Sequence, residues 1–523
     1  MLNTDVIIIG GGLAGMTAAY SAHAEGARVV LADRGAIGTG TNSAMSNGRF
    51  AGPTPGYTRE QFIRDTFHTG RGINSEQMVL QVAEEAPAAF EFLQSIGIDL
   101  EIFRDHYFYK STRSDVMRGT SLTRIMAQII GSLPRLRRVT GCYVTDIVQS
   151  ESGVCGVSAF DGTGRLLSIA APAVVLATGG GGAVYLRNDN QKSMMGQGYY
   201  LAARAGLDLW DMEFVQFYPI VLAEPRIAAM MVYPPYPQEF RLLNAAGEDI
   251  IEKYGDSSLN EAMRKKRDRF SEIILRESVA GPVKLDCRQV PAKFWNDYPL
   301  SLLQKIKFDF INKPVTVLPG AHFFMGGVRI APDGRTDRPG LFACGEAVWG
   351  LHGANRMSGN ALTECIVFGR IAGRNAAASA LKEHRPLDAP VCGKRPPATP
   401  AGPATVMLGD LRRQLREIAW AYAGVIRDKE GMQTGLAELE TVGKHIRQNT
   451  PRNISETKLK VDLQSAAFVL KAVLTAGLDR EETRGAFIRS EYPRTDDARW
   501  RRNSCLRYDP ETDSFSLKYP VVD

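Results

Sequence analysis

Short runs of aliphatic and β-branched residues, each closed by glycine, recur at wide intervals along this chain. DVIIIG at 5–10 is the first, and a run apolar at every position predicts a parallel strand buried on both faces. MTAAYSAHAEG then carries helical patterning up to a glycine, and ARVVLAD at 27–33 returns as a second strand. AVVLATGGGG at 173–182 and GLFACGEAVWG at 340–350 repeat the strand-to-glycine pattern, so one nucleotide-binding α/β sheet interrupted by insertions is expected. Before the second of these runs, YVTDIV and VCGVSAFDGTGRLLSIAAP read as strands, with DGTGR as a hairpin turn. From about 222 to 318 the pattern changes to VYPPYPQEF, a charged helical stretch near 257–280 and VKLDCRQV, which predicts a separate cap. A proline-rich linker follows at 382–404, and helical periodicity resumes in LGDLRRQLREIAWAYAGVIRD and LQSAAFVLKAVLTAGLD.

The first strand–helix junction carries a GxGxxG motif, Gly10, Gly12 and Gly15, with Asp33 closing the next strand. In that context the glycines allow a tight turn, close approach of a pyrophosphate to the backbone, and close helix–strand packing. Asp33 accepts from a ribose hydroxyl. At 523 residues the chain needs more than one core, and 44% apolar with 23% charged residues is an ordinary globular composition. The net charge of +6 is spread out; RKKRDR at 264–269 is the densest basic run, and no aromatic-interleaved basic patch suggests nucleic acid. No apolar run reaches the roughly 18 residues of a membrane span, so no direct membrane insertion is expected. MLNT leads straight into the first strand without a signal pattern, which gives a cytoplasmic expectation. The seven cysteines are scattered without a CxxC pair, so no internal iron–sulfur cluster and no metal site are expected.

GGGLAG, ATGGGG, DMEFVQF, AHFFMGG, GLFACGEAVWGLHGANRMSGNALTE and ETRGAFIRSEYPRTDD together make the chain resemble the succinate dehydrogenase/fumarate reductase flavoprotein family, which also contains L-aspartate oxidase. The resemblance runs nearly end to end. It implies an α/β fold: a discontinuous Rossmann-like FAD-binding domain (1–221 and 319–381) interrupted by an α+β cap (222–318). The linker and a C-terminal helical domain and tail (405–523) follow. It implies FAD held by Gly10, Gly12, Gly15, Asp33 and Arg34; by Thr41, Asn42, Ser43, Asn47 and Gly48; and by Ala177, Thr178, Gly179 and Gly180. Glu346 would hold the ribityl region, and Asn360, Ala361 and Leu362 would bring backbone N–H groups to the flavin N1 edge, where a helix start favours negative charge. Where many members carry a histidine bonded covalently to FAD, this chain has Asn42, so non-covalently bound FAD is expected.

The same resemblance implies hydride transfer between flavin N5 and a C–C bond beside a carboxylate, with His322 and Arg356 binding that carboxylate and Arg267 moving the proton. His352 also matches a residue near the flavin. Arginine suits the carboxylate because its planar fork matches it in a bidentate way. The departures are as informative. The family's QFHPT reads QFYPI, with Tyr218 and Ile220, and its TExxRGEGG stretch is replaced by VYPPYPQEF. A buried second carboxylate would lose partners there at about 1–3 kcal/mol each. The pocket therefore reads as half a dicarboxylate site with an aromatic far side, Tyr218, Tyr233 and Tyr236. Its expected substrate has one anionic group and a larger, less polar remainder, and Arg267 or Tyr218 transfers the proton. A separate iron–sulfur or other carrier subunit would exchange the electrons. L-Aspartate oxidase-like amine oxidation, sulfur-oxyanion chemistry as in the related adenylylsulfate reductases, and an electron-relay subunit with a vestigial pocket are the alternatives.

Overall fold

The apolar runs come together as one sheet. In the computed structural model of the chain, which describes residues 2–112, 116–225, 227–382 and 406–521, the strands lie in the order Leu341–Ala343, Ala173–Leu176, Val6–Ile9, Val29–Ala32 and Leu136–Val139, every pair parallel. The first four strands are buried at every position and Leu136–Val139 is partly open, as a sheet covered on both faces requires. Helix Leu13–Ala24 leaves the central strand and packs along the long helix Asn360–Lys382. The DGTGR turn joins antiparallel strands Gly153–Phe160 and Leu166–Ala170, closed by the Asp161 N–H donating to the Arg165 carbonyl at 2.9 Å.

Two long antiparallel strands, Val215–Leu222 and Val315–Phe324, lead out of this domain into the cap. Their inner residues Val215, Phe217, Ala321 and Phe324 belong to the first core. Tyr218, Ile220, Val221, Val315 and Val317 belong to a second core with Phe270, Ile274, Leu285 and Leu300. The pairing is irregular between Gln216 and Phe217 and again between Tyr218 and Val221, so the ribbon bends where the two cores meet. Helix Arg267–Glu277 lies against it, with the Ser271 hydroxyl donating to the Phe217 carbonyl at 2.9 Å.

Helices Leu408–Tyr422, Lys429–Gln448 and Ile454–Asp479 pack on one another. The last is long and apolar enough to span a membrane by length and composition. Asp462 and Lys471 break it as a continuous apolar run, and 61% of its most apolar window is buried inside the protein. The chain then returns to the first domain: strands Cys505–Asp509 and Ser514–Lys518 extend the sheet formed by Leu209–Trp210 and Gly327–Val328. The expected linker at 382–404 lies, apart from Lys382, outside the described residues.

Candidate active site

A cavity of about 1530 Å³ runs from the first glycine turn, past Thr41–Asn47 and Glu346, to the bend where the cap begins. Gly10 has φ +114°, and a Cβ on Gly15 would lie 1.9 Å from the Gly10 carbonyl oxygen, so both positions require glycine. Helix Leu13–Ala24 starts there with its positive end toward the cavity, and the Leu13 N–H donates to Ser43 Oγ at 3.2 Å. Asp33 accepts the Gly11 N–H through Oδ2 and the Gly35 N–H through Oδ1, both at 2.6 Å, while still lining the cavity. Asn42 donates to Asn190 Oδ1 at 2.6 Å and accepts the Gln191 N–H at 3.1 Å. Glu346 is buried with Oε1 accepting the Phe324 N–H at 3.1 Å, and burial pushes its carboxyl up to about 7. The buried Thr178 hydroxyl has no partner among the described residues, and Ala361 and Leu362 open their helix against the same cavity. A helix start for a diphosphate, two carboxylates for hydroxyls and an orphaned hydroxyl fit FAD.

At the cap end, His322 stands between an acid and a cation. Its Nδ1 is 2.9 Å from Asp189 Oδ2, and its Nε2 is 2.9 Å from Arg356 Nη2. Arg356 must donate, so the network assigns the proton of a neutral His322 to Nδ1, which donates to Asp189. Arg356 is 5% exposed, lies 4.7 Å over the Phe323 ring, and has an Nε without a partner among the described residues. Burial, then the nearby Arg267 charge, lower its pKa to about 9. Arg267 begins its helix at the cavity wall, donates to the Arg356 carbonyl, and is itself lowered by burial. Although it stands in the densest basic run of the chain, it is therefore buried rather than solvated. Tyr218 packs 5.4 Å from the His322 ring with a buried hydroxyl that has no partner among the described residues, and burial raises its pKa. Tyr233 and Tyr298 stack 3.8 Å apart to form the opposite wall.

Several expected site residues lie elsewhere. Arg34 points away from the cavity, pairs with Asp462 and lies 5.0 Å over Tyr143, so it ties the first domain to the C-terminal helices. His352 is buried against Glu364 at 3.1 Å and edge-on to Phe323, outside the cavity lining. The side chain of Asn360 is buried away from the cavity. Gly48 and Gly180 also stay behind its surface, where a Cβ would meet Arg118 Cβ at 2.8 Å and Glu346 Oε1 at 2.0 Å. Tyr236 packs behind the wall, donating to the Val232 carbonyl at 2.6 Å, and Tyr298 takes its place. Gly12, Thr41, Ser43, Asn47, Ala177 and Gly179 line the cavity as expected. Asp189, Tyr298 and Arg49 were not anticipated. The first two sit in stretches without a motif, whereas Arg49 stands among small residues in SNGRFAG, as Arg356 does in HGANRMSG.

Two family models match: an FAD-binding domain over residues 5–362 and a fumarate reductase flavoprotein C-terminus over 412–523. An L-aspartate oxidase of Streptomyces coelicolor is 29% identical over 97% of this chain and 92% of its own. A fumarate reductase (CoM/CoB) subunit from Methanothermobacter marburgensis is 27% identical over 96% of each chain. Among solved structures, E. coli quinol fumarate reductase FrdA superposes with a TM-score of 0.85 at 24% identity, covering 99% of this chain and 97% of that one, which shows the fold.

Proposed function

Because this chain belongs to the succinate dehydrogenase/fumarate reductase flavoprotein family, an FAD-dependent oxidoreductase family, we propose that it adds or removes hydrogen across a C–C bond beside a carboxylate in a substrate larger than fumarate. Bound FAD supplies or accepts the hydride at flavin N5. The observation that carries the reading is the Arg356 guanidinium, buried beside the cavity with a free Nε and no ion pair among the described residues. A buried cation is costly without a counter-charge, and a substrate carboxylate provides one. Asp189 fixes the His322 ring, and His322 fixes one Arg356 N–H, so the anchor is built before substrate arrives. Hydride addition to one alkene carbon leaves negative charge on its neighbour, and Arg267, lining the cavity and lowered from its usual pKa by burial, would deliver the proton there.

Stacked Tyr233 and Tyr298 support a substrate wider than a four-carbon diacid, and Asn42, an amide already bonded on both sides, supports FAD held without a covalent link. A separate electron carrier is supported by the relative that is itself named as one subunit of a reductase. Arg356→Ala should keep its flavin yet lose reoxidation of the reduced protein by unsaturated acids about 100-fold or more, as removal of a charged hydrogen-bonding partner implies. Undiminished turnover would leave only an electron-relay role. The L-aspartate oxidase relatives support amine oxidation as the second reading, which stoichiometric hydrogen peroxide from an amino acid and dioxygen would establish.

A further inference from the structure

The cavity wall carries a further cation that the proposed function does not use. Strand Arg49–Phe50 pairs with His106–Tyr109, which pairs in turn with Leu100–Phe103. Arg49 is opposite Phe108, and His106 opposite Phe103, so the pleat puts these four side chains on one face, and all four line the cavity. On the other face Phe50 and Tyr107 pack on Phe90 at 6.0 and 4.6 Å, while Ile102 beside Tyr107 stays half-exposed. The nearby acids are engaged, Glu101 with Arg118 at 3.1 Å and Asp65 with the Tyr57 hydroxyl at 2.9 Å.

Arg49 is largely buried, makes no ion pair among the described residues, and has an Nε with no partner there; Nη1 donates at 3.4 Å to Ser358 Oγ. Arg267 donates to the Arg356 carbonyl two residues before Ser358, so Arg49 and Arg267 converge on one short segment. His106 is held neutral, pushed down to about 4 by burial and then by the Arg49 charge, and its Nδ1 is also buried without a partner among the described residues. The sheet therefore presents a fixed cation and an uncharged hydrogen-bonding ring to the cavity, and nothing described neutralises the cation.

We propose that Arg49, with His106 beside it, is a second anion subsite, and that the substrate is an elongated diacid. One carboxylate sits on Arg356 and His322, the apolar middle lies along Tyr233 and Tyr298, and the other carboxylate sits on Arg49. This rests on the assignment of Arg356 as the first anchor and extends it. The polar partners missing from QFYPI and VYPPYPQEF are replaced by this sheet.

The test is titration of the oxidised, FAD-loaded full-length protein with glutarate, adipate and pimelate, each against its monomethyl ester, read by the perturbation of flavin absorbance. At least one diacid should bind about 10-fold or more tighter than its ester, the worth of one charge-assisted pair. Arg49→Met should abolish that preference and Arg49→Lys retain part of it. If Arg49→Met fails to hold flavin, Arg49→Gln against Arg49→Lys makes the same comparison. Equal binding of diacid and ester at every length, or a preference that survives loss of the Arg49 charge, overturns the subsite. Arg356→Ala separates the two claims. Ester binding lost in that variant while the native protein shows no diacid preference sinks Arg49 alone, and ester binding untouched by it sinks the carboxylate anchor as well.

Discussion

At the scale of single residues, the site is organised by guanidinium groups that have lost water without gaining carboxylates. Burial lowers Arg356 to about 9 and Arg49 to about 10, and the Arg267 charge adds to both shifts. An arginine normally stays charged at any pH that a protein survives, so these shifts give the site an alkaline limit. Only the cationic form holds a carboxylate. Affinity should therefore be flat from pH 7 to 8.5 and weaken above about 9, approaching tenfold per pH unit. Flavin-monitored titration with one monoacid across that range checks it. Affinity unchanged to pH 10.5 would mean that Arg356 keeps its proton or does not hold the anion. Sequence could find Arg356 because a cation among glycines beside an apolar helix stands out. Asp189, in RNDNQK, carries no such mark, since its role comes from the fold bringing it to His322.

At the scale of elements, the ribbon Val215–Leu222 and Val315–Phe324 matters most, because it places Tyr218 and His322 where the two cores meet. A second connection runs through the C-terminal signature. Glu482 accepts from Arg480 at 2.9 Å and from Arg484 at 2.7 Å, and all three are buried. Arg484 Nη1 donates to the Arg71 carbonyl at 2.7 Å, and Arg71 pairs with Asp268 at 2.6 Å, next to Arg267. The tail thus braces the residue that leads into the cap helix. Arg480 keeps Glu213 at 2.8 Å and Arg484 keeps Asp497 at 2.7 Å, so Glu482→Gln removes only the charge they share and should cost about 1–3 kcal/mol. It should appear as a lower urea midpoint for loss of bound flavin, and an unchanged midpoint would show that the network is not what joins tail and cap. The signature was legible as a motif, but its bracing role was not, because Arg71 lies more than 400 residues away.

At the scale of the whole molecule, three glycine-ended strands far apart in sequence were enough to expect one interrupted sheet, since a parallel strand covered on both faces is apolar at every position. The side of the cavity formed by Arg49 was not legible, because strand pairing rather than sequence proximity brings it to the segment that Arg267 also reaches. The apolar helix Ile454–Asp479 passes a length-and-composition test for membranes yet serves as core, which shows how little such a test says without its neighbours. The central claim is that this cavity holds a carboxylate substrate longer than fumarate against bound FAD. Its most direct test is to photoreduce the flavin-loaded protein without oxygen and follow flavin absorbance after mixing with fumarate, cinnamate or muconate. Reoxidation by a longer acid at least tenfold faster than by fumarate is expected. Fast reoxidation by fumarate, with the longer acids inert, would contradict the account.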